Sequence, residues 1–250
     1  MGSRAVKSRQ LLYQLYHLLW QSLDLLLPPT CGGCGAPGQR WCPDCRRQVP
    51  RLRAPFCETC GTPVSSTRRQ CAGCLAKPPS FRKLRSWSAF DVPIRPALHR
   101  LKYRRDLGLS EALVPQLAAY AAGLCWSVDL IIPVPLGSGR RKERGYNQAG
   151  LISWPLSLAL GISHSPRAIF RSRETRSQVG LSRAERQENV RDAFSALPAL
   201  VKDRRILMVD DVATTGATLS SCAEALYAAG ARDVLGLTVA RAIRGSSGDA

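Results

Sequence analysis

Residues Ile206–Leu219 read ILMVDDVATTGATL, and this stretch decides the fold. Four apolar residues, Ile206–Val209, make a short buried strand. Two adjacent carboxylates, Asp210 and Asp211, stand at its carboxyl end. The chain then breaks into Thr214, Thr215, Gly216, Ala217 and Thr218, which turn into a helix over Thr218–Ala229. Leu219, Cys222, Leu226 and Ala229 share one face of that helix, and Gly230 is suited to stop it. Free backbone N–H groups at the start of such a helix, together with its dipole, form an anion site. Hydroxyls from Thr214, Thr215 and Thr218 add donors. The acid pair suits a neutral polyol with two vicinal hydroxyls close to the anion, and a ribose 5-phosphate meets both demands. No GxxxxGK[ST] motif is present, so this is not a Walker loop.

The flanking sequence repeats the strand–helix alternation. VDLIIPVPL (Val128–Leu136) is an apolar run ended by Gly137, and RRKERGYNQAGLISWPLSLALG reads as a loop followed by a helix. RAIF opens a short strand before a long polar loop. DVLGLTVARA is apolar enough to be buried on both faces, as in a parallel sheet. Alternating strands and helices predict an α/β fold built on a doubly wound parallel sheet, with ligands at the carboxyl ends of its strands.

Eight of the ten cysteines form four CxxC pairs within residues 31–74. A CxxC turn brings two thiolates to one tetrahedral ion, so four turns make two four-cysteine sites, and structural zinc is the expected metal. Cys31, Cys34, Cys42 and Cys45 are the expected first set, and Cys57, Cys60, Cys71 and Cys74 the second; cross-braced pairing stays open. So short a segment buries too little apolar surface to fold alone, and metal supplies the deficit.

The formal net charge is +18. Residues 1–128 carry 19 basic against 6 acidic residues, a net of +13, whereas residues 129–250 carry 17 against 12, a net of +5. The front half is where a polyanion would land. Eight thiolates on two zinc ions add about −4, and the chain stays basic. Arg40, Arg46, Arg47, Arg51, Arg53, Arg68 and Arg69 lie among the cysteine pairs, with Trp41 and Phe56 beside them. Arginine with exposed aromatics suits single-stranded nucleic acid. Equally, the two rings suit a small core and the arginines its solvated surface.

Arg4, Lys7 and Arg9 precede LLYQLYHLLWQSLDLLL. Gln14, His17, Gln21 and Asp24 interrupt that run, and no small-residue cleavage site follows, so it is neither an export signal nor a membrane span. Its leucines follow helical spacing and predict an amphipathic helix, ending at Pro28–Pro29, that packs on its own protein or a partner, with a helix lying on a membrane surface as the lesser alternative. With thiol-based metal sites and no export signal, a cytoplasmic location is expected. LAKPPSFRKLRSW reads as a linker, and HRLKYRRD as a basic cluster on or near a helix with His99 at the surface. The expected organisation is a helix over 1–29, a double zinc ribbon over 30–76 and an α/β domain over 85–245.

ILMVDDVATTGATL resembles the ribose-phosphate signature of type I phosphoribosyltransferases, which bind 5-phosphoribosyl-1-pyrophosphate (PRPP) with Mg2+. The resemblance implies that Asp210 and Asp211 hold the ribose hydroxyls and that Thr214, Thr215, Gly216, Ala217 and Thr218 cradle the 5′-phosphate. It puts the pyrophosphate near IIPVPL and the basic residues Arg140, Arg141, Lys142 and Arg144. Ala213 is often larger in such motifs. Purine-salvage members place an acid where Thr214 stands; a threonine cannot do that proton transfer at neutral pH. No residue stands out as a catalyst.

Four CxxC pairs, LKYRRD, PVPLGSGRRKERGYNQ, RETRSQVGLSRAERQENVRDAF and the PRPP motif, in this order, resemble the ComF family. Its members join a double zinc ribbon to a phosphoribosyltransferase-like domain and are associated with competence for DNA uptake. Arg144–Gln148 and Arg173–Gln178 are its distinguishing pieces. The resemblance implies PRPP and single-stranded DNA as ligands, other DNA-uptake proteins as possible partners, and an arginine-rich loop over 171–191 that closes on the site. An active transferase with an unknown nitrogenous acceptor, unrelated to DNA, is the alternative, and a scaffold for uptake proteins a third class.

Overall fold

The structure, a computed structural model, describes residues 2–65, 67–172 and 193–243. Helix α1 spans Gly2–Leu26, and two short helices, α2 (Pro43–Arg47) and α3 (Ala72–Ala76), follow the second and fourth cysteine turns. Then come β1 (Lys83–Ala89), α4 (Ile94–Tyr103), α5 (Gly108–Gly123), β2 (Leu130–Pro133), α6 (Ser138–Arg144), α7 (Gln148–Leu160) and β3 (Ser163–His164). β4 (Ile169–Arg171) pairs antiparallel with β5 (Phe194–Ala196), and α8 (Pro198–Val201), β6 (Arg205–Ala213), α9 (Ala217–Ala228) and β7 (Asp233–Arg241) complete the order.

The main sheet is five-stranded and parallel, in the order β1-β7-β6-β2-β3. Successive side chains of a strand point to opposite faces, and this divides the core in two. Ile206 and Met208 join Leu130, Ile132 and Val234 on the face covered by α9 and the β4–β5 hairpin. Leu207 and Val209 join Ile131, Leu235 and Leu237 on the face covered by α4, α5 and α7. With helices on both faces, the sheet is doubly wound.

The ribbons divide in the same way. Cys31, Trp41 and Cys45 pack into the core on the α4 side, and Cys57, Cys60 and Cys74 into the core on the α9 side. The second ribbon also covers the sheet's edge. The Leu84 N–H donates to the Thr59 carbonyl and the Ala89 N–H to the Pro50 carbonyl, each at 2.7 Å. Such cover protects an edge strand from further pairing.

Two local readings change. The stretch taken as a linker contains β1, with Leu84 buried in the core on one face of the sheet and Trp87 in the core on the other. Strand β6 continues to Ala213, so the acid pair lies inside the strand rather than beyond it. α1 forms as expected and packs on α5 and α7. The polar and aromatic side chains Arg9, Tyr13, His17 and Trp20 face the body, and the leucines face out. Among the described residues, no helix is long and apolar enough to cross a membrane.

Candidate functional site

A cleft of about 440 Å³ opens at the carboxyl ends of β2 and β6. The continuation of β6 puts Asp210 and Asp211 on opposite sides of one strand. Asp210, on the α9 side, opens partly onto the cleft, and its carboxylate accepts a 2.8 Å hydrogen bond from the Asp211 N–H. Asp211, on the α4 and α7 side, is buried, with 4% of its surface exposed. Lys102, near the end of α4, forms an ion pair with Asp211. The Gln148 amide donates to Asp211 at 3.2 Å, and the Gln148 carbonyl oxygen accepts from the Arg144 guanidinium at 3.1 Å. That guanidinium lies 4.8 Å over the Tyr103 ring.

The two acids therefore differ in charge. Burial pushes the Asp210 carboxyl well above the usual carboxylate range, and the neighbouring Asp211 charge pushes it further. Burial also raises Asp211, but the Lys102 ammonium, with bonds from Asp210 and Gln148, outweighs it and leaves Asp211 below that range. Adjacent carboxyls in one site split in this way when a single cation is nearer to one of them.

Beyond the acids, Thr214–Gly216 turn the chain into α9. Gly216 has φ +80°, a left-handed conformation that favours glycine. The Thr215 hydroxyl accepts from the Ala217 N–H at 3.3 Å, and no side chain caps the helix at Gly216. The first turn of α9 thus presents backbone N–H groups to the cleft. Arg140 and Arg144 line the cleft from α6, and Arg171 lines it from β4. Arg141 and Lys142 are exposed and do not line it. Most of the loop read as closing on the site, and the segment Arg173–Gln178, lie outside the described residues.

The Thr214–Gly216 side of the cleft is tied to the second ribbon. Arg241, at the end of β7, is 2% exposed. Its guanidinium donates to the Thr62 hydroxyl at 3.0 Å, to the Thr214 carbonyl at 3.4 Å and to the Cys60 carbonyl. The first ribbon is tied to α4, where Arg100 donates to the Cys31 carbonyl at 2.8 Å and pairs with Asp106.

The eight cysteines form two groups, Cys31/Cys34/Cys42/Cys45 and Cys57/Cys60/Cys71/Cys74, each with all four sulfurs within 4.8 Å of one another. Cys34 and Cys42 sulfurs lie 3.8 Å apart, and those of Cys60 and Cys71 3.6 Å. A tetrahedral zinc with bonds of about 2.3 Å places sulfurs about 3.8 Å apart, so the geometry fits the ion. The pairing is consecutive.

Trp41 is 2% exposed, and its indole N–H donates to Gln116 at 3.0 Å. It belongs to the core and cannot stack on a base. Arg40 is held by Asp24 and Asp106. The other six arginines among the cysteine pairs are exposed.

Lys102, Gln148 and Arg241 were not legible as site residues. Lys102 and Gln148 sit inside LKYRRD and RGYNQ, whose convergence on Asp211 only the fold reveals. Arg241, inside an apolar run, carries a signal of its own kind, since a charge at the end of a buried strand needs a partner.

Residues 22–75 match the family model of the double zinc ribbon domain. The chain is 36% identical over 220 residues to the DNA utilization protein YhgH of Salmonella typhimurium, covering 84% of this chain and 96% of that protein. It is 33% identical over 210 residues to Competence protein F of Haemophilus influenzae, covering 80% and 90%. Against Competence protein ComFC of Bacillus subtilis, identity is 26% over 218 residues, 84% of each chain. Among solved structures, the adenine phosphoribosyltransferase of Thermoanaerobacter pseudethanolicus aligns at 17% identity, over 65% of this chain and 92% of that one, with a TM-score of 0.37. That likeness is too loose to bear on chemistry.

Proposed function

Because this chain belongs to the ComF family, we propose that it binds PRPP in the cleft at the end of β6 and serves single-stranded DNA handling during natural transformation. One observation carries the PRPP reading: two adjacent carboxyls, Asp210 partly open to the cleft and Asp211 buried against Lys102, stand a short turn from an uncapped helix N-terminus. Carboxyl oxygens accept from hydroxyls, and two vicinal hydroxyls can use the pair. The N–H groups of α9 receive the 5′-phosphate. Arg140, Arg144 and Arg171 line the same cleft, where a pyrophosphate would lie. Mg2+ would enter on the pyrophosphate, because Lys102 already pairs with Asp211.

The DNA reading rests on the names of the relatives and on the exposed arginines of the ribbons. With Trp41 buried, contact there is to phosphate rather than by stacking on that ring. The ribbons carry structural zinc, and other uptake proteins are candidate partners. Turnover is a separate matter. Thr214 offers no proton transfer to a leaving or attacking base, and a transferase acting on a nitrogenous acceptor remains the alternative reading. Titration calorimetry with PRPP and Mg2+ tests binding: the wild type should bind and Asp210→Ala/Asp211→Ala should not. Pyrophosphate release with bases, amines and single-stranded DNA separates a binding protein from an enzyme.

A further inference from the structure

The leucine face of α1 is the largest apolar feature left open among the described residues. The face turned inward is built from polar and aromatic side chains. Arg9 donates to the Gly161 carbonyl at 3.1 Å and to Ser163 at 3.0 Å, His17 pairs with Glu111, and Asp24 pairs with Arg40. Tyr16 meets Trp154 edge-on at 4.9 Å. The helix is therefore already fixed to its own body, and its leucines take no part in that docking.

Those leucines form two rows spaced by seven, Leu11–Leu18–Leu25 and Leu12–Leu19–Leu26, each residue at least half exposed. A seven-residue leucine repeat is the seam that one helix offers another. The eight exposed leucines of α1 present roughly 800 Å² of side-chain surface, beyond the largest patch of a typical monomer and equal to one side of a standard interface.

We propose that this face is a two-fold interface between two copies of the chain, α1 against α1. A stripe of one residue type is its own complement, which is what a two-fold contact requires. The stripe also carries no charge to oppose self-association. From Ser8 to Leu26 the charged and titratable side chains Arg9, His17 and Asp24 all turn inward to partners, and Gln10, Gln14 and Gln21 flank the leucines. A lipid surface fits less well. An interfacial helix rings its apolar face with lysine and arginine and turns its aromatics towards the bilayer, whereas here the flanks are neutral and Tyr13, Tyr16 and Trp20 face the body.

Sedimentation of the full zinc-loaded, nuclease-treated chain tests this. At micromolar concentration it should run at twice the 27.3 kDa of one chain, and it should do so equally at high salt, because the seam is apolar. Leu12→Lys with Leu19→Lys should give a monomer that keeps two zinc ions. Leu12→Ala with Leu19→Ala, which removes area without adding charge, should weaken the dimer at least ten-fold. A monomeric wild type, a dimer lost in high salt, or a dimer indifferent to both leucine pairs would overturn the proposal. So would a monomer that floats with phosphatidylcholine–phosphatidylglycerol vesicles through these leucines.

Discussion

Replacing the two adjacent acids one at a time by asparagine should move stability in opposite directions. Burial and the neighbouring Asp211 charge raise the Asp210 carboxyl pKa, so above the ordinary carboxylate pKa the folded state is penalised for favouring the protonated form. Asp210→Asn removes that penalty and keeps an oxygen to accept from the Asp211 N–H. Because Asp210 opens onto the cleft, solvent screens it, and the expected gain is about 1 kcal/mol, in the range seen when a functional group is traded for stability. For a chain of this size that is about 3 °C in Tm. Asp211 is the ionised partner of Lys102, whose side chain is 20% exposed against 6% for Asp211. Asp211→Asn strands a largely buried ammonium, and breaking such a pair costs about 3 kcal/mol or more, so Tm should fall by about 10 °C. The pH dependence differs too. The Asp210 penalty is absent below the unfolded carboxyl pKa, near 3.9, and grows as pH rises through the raised folded value, so the gain in Asp210→Asn should vanish in acid. The Asp211 contribution is complete above the unfolded pKa and fades as pH falls through its lowered folded value. Thermal and urea unfolding of the zinc-loaded proteins from pH 4 to pH 8 measures both. Equal losses in the two variants at pH 7 would refute the division of charge.

Other perturbations separate the remaining parts. Elemental analysis should find two zinc ions per chain, and Cys31→Ser with Cys34→Ser should release one; four disulfides in protein purified from cytoplasm would contradict this. Arg241→Met leaves the Cys60 and Thr214 carbonyls without their donor and should cost about 1–3 kcal/mol of stability, with PRPP affinity falling alongside; unchanged denaturant midpoint and affinity would remove Arg241 from the scaffold. Trp41→Ala should cost about 3–5 kcal/mol, as for a core aromatic, and alter DNA binding only through folding. Replacing Arg46, Arg47, Arg51 and Arg53 with glutamine should flatten the log K against log salt slope for single-stranded DNA by up to about three units, at about 0.7 per phosphate. Fluorescence anisotropy reads that slope, and an unchanged one moves the DNA site elsewhere. Burial lowers the His164 pKa to about 4, so stability should fall as pH drops from about 6.5 towards that value, and His164→Asn should lessen the fall in acid unfolding.

Much of the architecture is local and so was legible in sequence. The CxxC spacing fixes four sulfurs within a few residues, and consecutive four-cysteine groups followed. ILMVDD followed by TTGAT carries its strand, turn and helix start in adjacent positions. What escaped is long-range. Lys102 reaches Asp211 across 109 residues of chain, and nothing in LKYRRD says which of its charges turns inward. Hydrophobic periodicity identified α1 but left open which of its faces docks. Periodicity reports where the leucines lie, not whether the body offers apolar surface or, as at Glu111, Gly161 and Arg40, polar groups that prefer the other face. FRKLRSW hid a strand because its two large buried residues, Leu84 and Trp87, fall on opposite faces among basic residues and serines, so no period-two apolar pattern shows.

The strand order has a consequence for how the chain matures. β1, the element directly after the ribbons, has β7 as its strand partner, and β7 lies between β1 and β6. On a ribosome the eight cysteines emerge far ahead of the strand that completes the sheet beneath them. Early metal capture can pin the two four-cysteine groups, and α4 and β1, which meet them at Cys31 and Thr59, follow soon after, but Arg241, the tie to Cys60 and Thr62, arrives only when Asp233–Arg241 has been threaded between strands made long before. Closing so long a loop makes this a slow, late step. A chain cut short before β7 would leave the second ribbon without Arg241, its tie to the Thr214 turn.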